Sequence, residues 1–199
     1  PEIQESPAHM QRFRALVEKH RAVFRKSLRT SFSHIGQHEI NLKPGYTGHK
    51  EPAILRRSEK EEERYLKPAK QRLEDGVTFF SDGKDLDFLS NSIMVPKWDA
   101  DGNVQVDERE CLDSRHVNLQ SEMPDWPLPD IPRNLARLRG NRYWTADLFS
   151  GFLQLFLAIA SRRHTAHNTP LGIMCYSRTC FGLKGAPASF CKCIQRIFH

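Results

Sequence analysis

A chain of 199 residues can bury one sizeable α/β core or two small ones, and its balance of 39% hydrophobic and 27% charged residues excludes an extended disordered polyelectrolyte. No stretch reaches roughly 18 apolar residues, which excludes a transmembrane helix. The start Pro1-Glu2-Ile3-Gln4 has no apolar signal core, so an intracellular setting, cytoplasmic or nuclear and away from membranes, is expected. The formal charge of +6 is unevenly placed: residues 148–199 hold Arg162, Arg163, Arg178, Lys184, Lys192 and Arg196 and no acid, while the 24 Lys+Arg and 24 Asp+Glu before them cancel. An acid-free basic quarter suits a polyanionic partner or a solvated basic surface. Five cysteines, an odd number crowded toward one end, do not form a secreted disulfide framework and point to a reducing compartment. A start at Pro1 leads us to expect a fragment or a processed piece.

In chain order, Ser6-Pro7 suits a helix start, and Met10, Phe13, Leu16, Val17, His20 and Phe24 recur at helical spacing, which predicts an amphipathic helix over 7–28. Residues 29–50 read as polar and irregular, with a short strand at His38-Glu39-Ile40-Asn41-Leu42. Five of the nine histidines fall within residues 1–50 at spacings that match no metal pattern. Ser58 with Glu61 three residues on is a capping box. It opens a second helix whose apolar face is Tyr65, Leu66, Ala69 and Leu73, with Gly76 as its stop and a kink or break at Pro68. The charged run 56–64 reads as a solvated face.

Val77-Thr78-Phe79-Phe80 predicts a short strand ending in the Ser81-Asp82-Gly83 turn. Ser92-Ile93-Met94-Val95 and residues 104–112 predict the arms of a hairpin around Asp99-Ala100-Asp101-Gly102-Asn103, with Lys97 and Arg109 on the arms. That turn lacks the acidic residue that completes a calcium loop. Trp126-Pro127-Leu128-Pro129 must be extended, because proline keeps its predecessor out of the helical region. Asp130 caps a short helix with Ile131, Leu135 and Leu138 facing inward and Gly140 at its end. A strand is expected from Tyr143 into Asp147, another from Leu153 to Ile159, irregular backbone over 161–180, and a last helix opened by Gly185-Ala186-Pro187. Phe190, Ile194, Ile197 and Phe198 form the core face of that helix.

Asp147 is the most informative carboxylate. Before a sharp turn such as Phe149-Ser150-Gly151, an aspartate ordinarily forms the turn or caps a helix; its neighbours bear on whether it does chemistry instead. A zinc reading of Cys175, Cys180, Cys191 and Cys193 with His164 and His167 is set aside, because the spacing fits no common finger and Cys191 and Cys193 project from opposite sides of a helix.

Four segments taken together have a known order. Residues 109–118, with Arg109, Cys111, Asp113, Arg115 and Asn118, resemble the R-x-C-x-D-x-R-x-x-N signature of reverse transcriptases from gypsy-type LTR retrotransposons. Residues 126–131 are similar to that family's YPLP-x-I, residues 147–154 to its polymerase motif A, and residues 181–190 to its motif B, FGL-x-NAPATF. The resemblance covers roughly 35–199. Between motifs A and B the family reads S-R-E-K-T-A-F-x-T-P-x-G, whereas this chain has Arg163, His164 and His167 at the Glu, Lys and Phe. Cys180 replaces a proline and Gly185 an asparagine. Motif C, with its paired aspartates, is absent from the 199 residues.

The resemblance implies an α+β fold: partial polymerase fingers and palm, with an antiparallel sheet and packed helices. It divides the chain into a linker helix (1–34), a fingers-like region with the hairpin (35–125) and a partial palm (126–199). The implied activity is RNA-directed DNA polymerisation by two-metal phosphoryl transfer, within a longer polyprotein, on an RNA template and a DNA primer with dNTPs. Asp147 is then the first Mg²⁺ ligand, helped by the Leu148 backbone carbonyl. Arg109 and Lys97 grip the triphosphate, Phe152 is the ring that rejects a ribose 2′-hydroxyl, and Phe181 and Gly182 pack against the nucleotide. Gln154 and Asn118 read as structural. With one carboxylate of the expected set, the chain by itself is expected not to polymerise. The alternatives are a non-catalytic nucleic-acid binder and a decayed product.

Overall fold

The computed structural model describes residues 7–24, 28, 36–50, 58–99, 101–140, 143 and 145–198, with 104–107 described as backbone only. Parts of several expectations lie outside the described residues: Ser6 and 25–27 of the first helix, 29–35 of the irregular stretch, Arg56-Arg57 of the charged run, Ala100 of the hairpin turn and Trp144 before Asp147.

The first helix, α1 (Pro7–Lys19), is followed by a 3-10 turn at Arg21–Val23. None of its residues is buried, and Phe13 and Leu16 are exposed. Two short strands come next, β1 (Gln37–His38) and β2 (His49–Lys50). Helix α2 (Glu59–Glu74) starts where its capping box places it: Ser58 accepts from the Glu61 amide, and the Glu61 carboxylate accepts from the Ser58 amide at 2.9 Å. The helix runs unbroken through Pro68. Then come β3 (Thr78–Phe80), β4 (Phe88–Leu89) and the long hairpin β5 (Ser92–Trp98) with β6 (Val104–Leu112). Pro96 is tolerated because this two-stranded ribbon has open edges, and the register shifts between Pro96 and Trp98. The Asp99 carboxylate closes the turn, accepting from the amides of Asp101 (3.0 Å) and Asn103 (2.8 Å).

Beyond the hairpin lie α3 (Arg115–Gln120) and α4 (Ile131–Ala136), the latter capped by Asp130, which accepts from the Arg133 amide at 3.0 Å. Its apolar residues do not face inward. Ile131, Leu135 and, just past the helix, Leu138 are 63%, 60% and 52% exposed, and this helix of six residues holds no buried residue. No strand forms over 145–148 either: an apolar run needs a ladder partner, and this one has none among the described residues. The turn after it is present. Ser150 adopts φ +47° and leads into a 3-10 turn at Gly151–Gln154.

The expected strand from Leu153 to Ile159 shrinks to β7 (Phe156–Leu157), followed by α5 (Ile159–Arg162). The stretch expected to be irregular holds a buried hairpin, β8 (His167–Thr169) and β9 (Gly172–Tyr176). Its polar residues hid it from a hydrophobicity pattern, yet each finds an internal partner: Thr169 donates to the Gly172 carbonyl at 2.7 Å, and His167 stacks on Tyr176 at 4.8 Å. Helix α6 (Ala186–Phe198) closes the chain. Ala186, Ala188 and Cys193 are its buried residues, whereas Ile197 and Phe198 are exposed at 49% and 78%.

Strands join across long sequence separations. β1 pairs in parallel with β7, β2 in parallel with β4, and β3 pairs with β9 in the antiparallel order β3-β9-β8. The main core gathers Val77, Phe88, Leu112, Val117, Leu157 and Tyr176 among others. Burial of a ring such as Phe88 contributes roughly 2–3 kcal/mol. This core joins Val77 just after α2, the base of the hairpin at Leu112 and the start of α6 at Ala186, and the loop between β9 and α6 emerges from it.

Candidate functional site

That loop meets the hairpin through the side chains the sequence singled out. Arg109 is an outward residue of β6, opposite Val95, and its guanidinium lies over the Phe181 ring at 4.9 Å. Phe181 meets Phe152 edge-on, with centroids 5.3 Å apart and planes at 63°. Three residues from three segments therefore form one cation–ring–ring row.

The loop is held firmly. The Leu112 amide donates to the Phe181 carbonyl at 3.0 Å. The Asn118 side chain donates to the Gly182 carbonyl at 2.7 Å and accepts from the Lys184 amide at 2.9 Å, so the structural reading of Asn118 stands. Gly182 sits at φ +111°, and a Cβ there would stand 2.2 Å from the Leu112 carbonyl oxygen. Asp113 and Arg115 pair through two hydrogen bonds, at 2.8 and 2.6 Å. Of the R-x-C-x-D-x-R-x-x-N segment, Asn118 thus braces the loop that carries Phe181, while Asp113 and Arg115 pair with each other beyond the end of β6.

Asp147 is exposed, and so is Leu148 at 47%. Among the described residues no hydrogen bond or ion pair engages the Asp147 carboxylate. It caps no helix, since Ser150 holds the N-cap position of the following 3-10 turn. Among the described residues the Asp147 side chain thus makes no turn-closing or capping contact. Gln154 closes this turn instead, its amide donating to the Phe149 carbonyl. Lys97 is half-buried on β5, two residues from the cross-strand partner of Arg109. Mg²⁺ needs several oxygen ligands, and among the described residues no three His, Cys, Asp or Glu side chains converge. These residues do not by themselves fit a two-cation site.

The basic quarter is not a uniform surface. Arg178 is only 4% exposed, stacks over Phe156 at 4.8 Å and donates to the Leu153 carbonyl at 3.2 Å. Arg162 donates to the Leu157 carbonyl, Lys184 to the Ser121 carbonyl, and Arg163 pairs with Asp87. These four cations serve internal contacts, and Lys192 lies over the Trp126 ring at 5.6 Å, which the charge count cannot reveal.

The departures between motifs A and B are absorbed into the core. His167 fills an aromatic position against Tyr176, and His164 lies edge-on to Phe88 and 3.3 Å from Asp87. A side chain at residue 185 would press on His38 and Pro124 at 2.9 Å, so Gly185 is the residue that fits there. His38 shares a 2.8 Å hydrogen bond with the Ser189 hydroxyl. Sequence reasoning missed a further network: Arg72 pairs with Glu110 and donates to the Tyr176 hydroxyl at 2.9 Å. The available signal was parity, since Glu110 shares the strand face of buried Leu112.

Burial pushes the His38 imidazole down to about 4 and lowers those of His164 and His167 as well. The folded chain therefore binds fewer protons than the unfolded one between the ordinary histidine value, 6.5, and about 4. Stability present above that window is lost as pH falls through it, by on the order of 3 kcal/mol for His38 alone. Melting midpoints should fall from pH 7.5 to pH 5, and His38→Gln should flatten the profile; equal slopes for both proteins would contradict this.

No family model matches the chain. It is 35% identical over 107 residues to the Caenorhabditis elegans uncharacterized protein K02A2.6, which covers 53% of this chain and 8% of that protein. It is 36% identical over 92 residues to the retrovirus-related Pol polyprotein from transposon opus of Drosophila melanogaster, 46% of this chain and 9% of the polyprotein. With the Pol polyprotein from transposon gypsy of the same fly it shares 31% identity over 131 residues, 65% and 12% respectively. The chain thus spans a small fraction of each relative. Among solved structures, the foamy viral protease-reverse transcriptase in complex with double-stranded DNA superposes with a TM-score of 0.72 at 18% identity, over 94% of this chain and 31% of that one. The same viral protein in complex with an RNA/DNA hybrid gives 0.71 at 16% identity, over 96% and 25%. The chain is thus a homologue of one segment of the retrovirus-related Pol polyproteins from gypsy and other transposons, and its mixed helix-and-sheet fold matches that of one part of the foamy viral protease-reverse transcriptase.

Proposed function

We propose that these residues are the fingers (35–125) and the first part of the palm (126–199) of a retroelement reverse transcriptase, preceded by a linker helix, and that they bind an RNA–DNA hybrid and a dNTP. The observation that carries this reading is the row Arg109–Phe181–Phe152, which joins three motifs more than 25 residues apart in the chain. Arg109 offers a forked donor to a triphosphate, with Lys97 on the opposite arm. Phe152 presents a flat ring to the sugar, and the loop at Phe181 and Gly182 packs beneath the nucleotide. Asp147, exposed and without a partner among the described residues, is the carboxylate left for a divalent cation, with the Leu148 carbonyl beside it. The rest of the carboxylate set has to come from another segment of a polyprotein, so this chain by itself does not extend a primer.

The test is equilibrium binding of a fluorescent dATP analogue to the chain on an RNA–DNA hybrid at low salt, together with a primer-extension assay with Mg²⁺. Arg109→Ala is expected to weaken nucleotide binding by about tenfold, the loss of roughly 1.4 kcal/mol. Hybrid binding is expected to fall steeply with salt and to be unchanged by Asp147→Asn. Absence of hybrid binding at low salt would overturn the proposal, and robust extension by the isolated chain would overturn its single-carboxylate part.

A further inference from the structure

We propose that Phe190 sets the sugar selectivity of this site by fixing the plane of the Phe152 ring. The proposal rests on the reading of Phe152 as the ring that meets the sugar. Phe152 is the second residue of a four-residue 3-10 turn that follows Ser150, a residue at positive φ, and is only half-buried. Such a turn leaves the ring orientation under-determined, so neighbours must supply it. Two do. Phe181 approaches on one side, and Phe190 meets Phe152 at 5.4 Å with the planes at 89°, a perpendicular edge-to-face contact.

The two supports differ in kind. Phe181 also carries Arg109 and so belongs to the row that faces the nucleotide. Phe190 stands on α6, half-buried, and reaches the row through Phe152. It is a positioning residue. The chain makes room for it: a Cβ on residue 151 would stand 3.0 Å from the Phe190 Cζ, so Gly151 lets the ring close on its neighbour. Phe190 also lines a cleft of about 590 Å³ together with Leu128, Pro129 and Arg133, among others. A smaller residue at 190 leaves Phe152 free to tilt toward that space. A tilted gate rejects the 2′-hydroxyl less well while Arg109 still holds the triphosphate, so selectivity falls more than affinity.

The experiment is competition of dATP and of ATP against a fluorescent dATP analogue on the full chain with an RNA–DNA hybrid, with thermal melts as the fold control. The wild-type chain should favour dATP. Phe190→Leu should reduce the dATP-to-ATP affinity ratio by about fivefold, with dATP affinity changed less than twofold, whereas Phe190→Tyr, which keeps the ring edge, should retain the ratio. If Phe190→Leu melts without cooperativity, Phe190→Met is read in its place. An unchanged ratio in a folded variant overturns the role of Phe190 and leaves the nucleotide-site reading intact. Failure of the wild-type chain to bind either nucleotide, or equal affinity for both, overturns the site reading and this inference with it.

Discussion

Replacing Arg72 by Met is expected to destabilise the fold by about 3–5 kcal/mol, the cost of stranding a buried charge. Arg72 reaches from α2 into the space between β6 and β9, with its side chain 14% exposed and that of Glu110 2% exposed. Burial alone would raise the Glu110 carboxyl, but the Arg72 guanidinium beside it holds it below the ordinary carboxylate value. Burial likewise opposes the charge on Arg72, which Tyr176 and Glu110 more than offset, and burial raises the Tyr176 hydroxyl. Removing Arg72 leaves a carboxylate and a phenol without their donor in a place that water does not reach. The double variant Arg72→Met with Glu110→Met removes both charges and should recover most of the loss, since apolar residues often replace a buried pair at little cost. Denaturant unfolding of the two single variants and the double variant measures this. A loss below about 1 kcal/mol in Arg72→Met would mean that Glu110 finds water or takes up a proton at little expense.

Gly182→Ala should have the second large effect, roughly 2 kcal/mol or more, and should weaken nucleotide binding as well. The added Cβ would stand 2.2 Å from the Leu112 carbonyl oxygen and 3.0 Å from the Ser114 hydroxyl, at a φ of +111° that side chains rarely adopt. The obstacle is backbone of the hairpin strand, so no rotamer change relieves it. The loop cannot simply back away, because the Leu112 amide and the Asn118 side chain hold Phe181 and Gly182 at 3.0 and 2.7 Å. Whatever gives will draw Phe181 from beneath Arg109. Paired measurements of melting midpoint and dATP affinity test this; an alanine variant with wild-type values for both would show that the loop has slack.

Much of the local architecture was legible in the residues. The Ser58–Glu61 box, the Asp130 cap, the Asp99 turn and the alternating arms on either side of it use partners within a few positions, so short-range chemistry is enough to place them. The row Arg109–Phe181–Phe152 was legible only through motif resemblance: nothing in the spacing of these residues says that their side chains meet. Phe190 was read as a core residue, and its contact with Phe152 emerged only in three dimensions.

The sequence by itself determined the helices with caps, the long hairpin, the order of the reverse-transcriptase-like segments and the lone acidic residue at the head of an acid-free quarter. Tertiary structure alone decided which side chains are inside. It buried His167, Thr169 and Arg178 and left Ile131, Leu135 and Leu138 in the open. The physical reason is that burial of a polar group depends on a partner, and burial of an apolar one on a covering surface. Both can come from segments far along the chain, as Arg72 does for Tyr176 and β1 for β7.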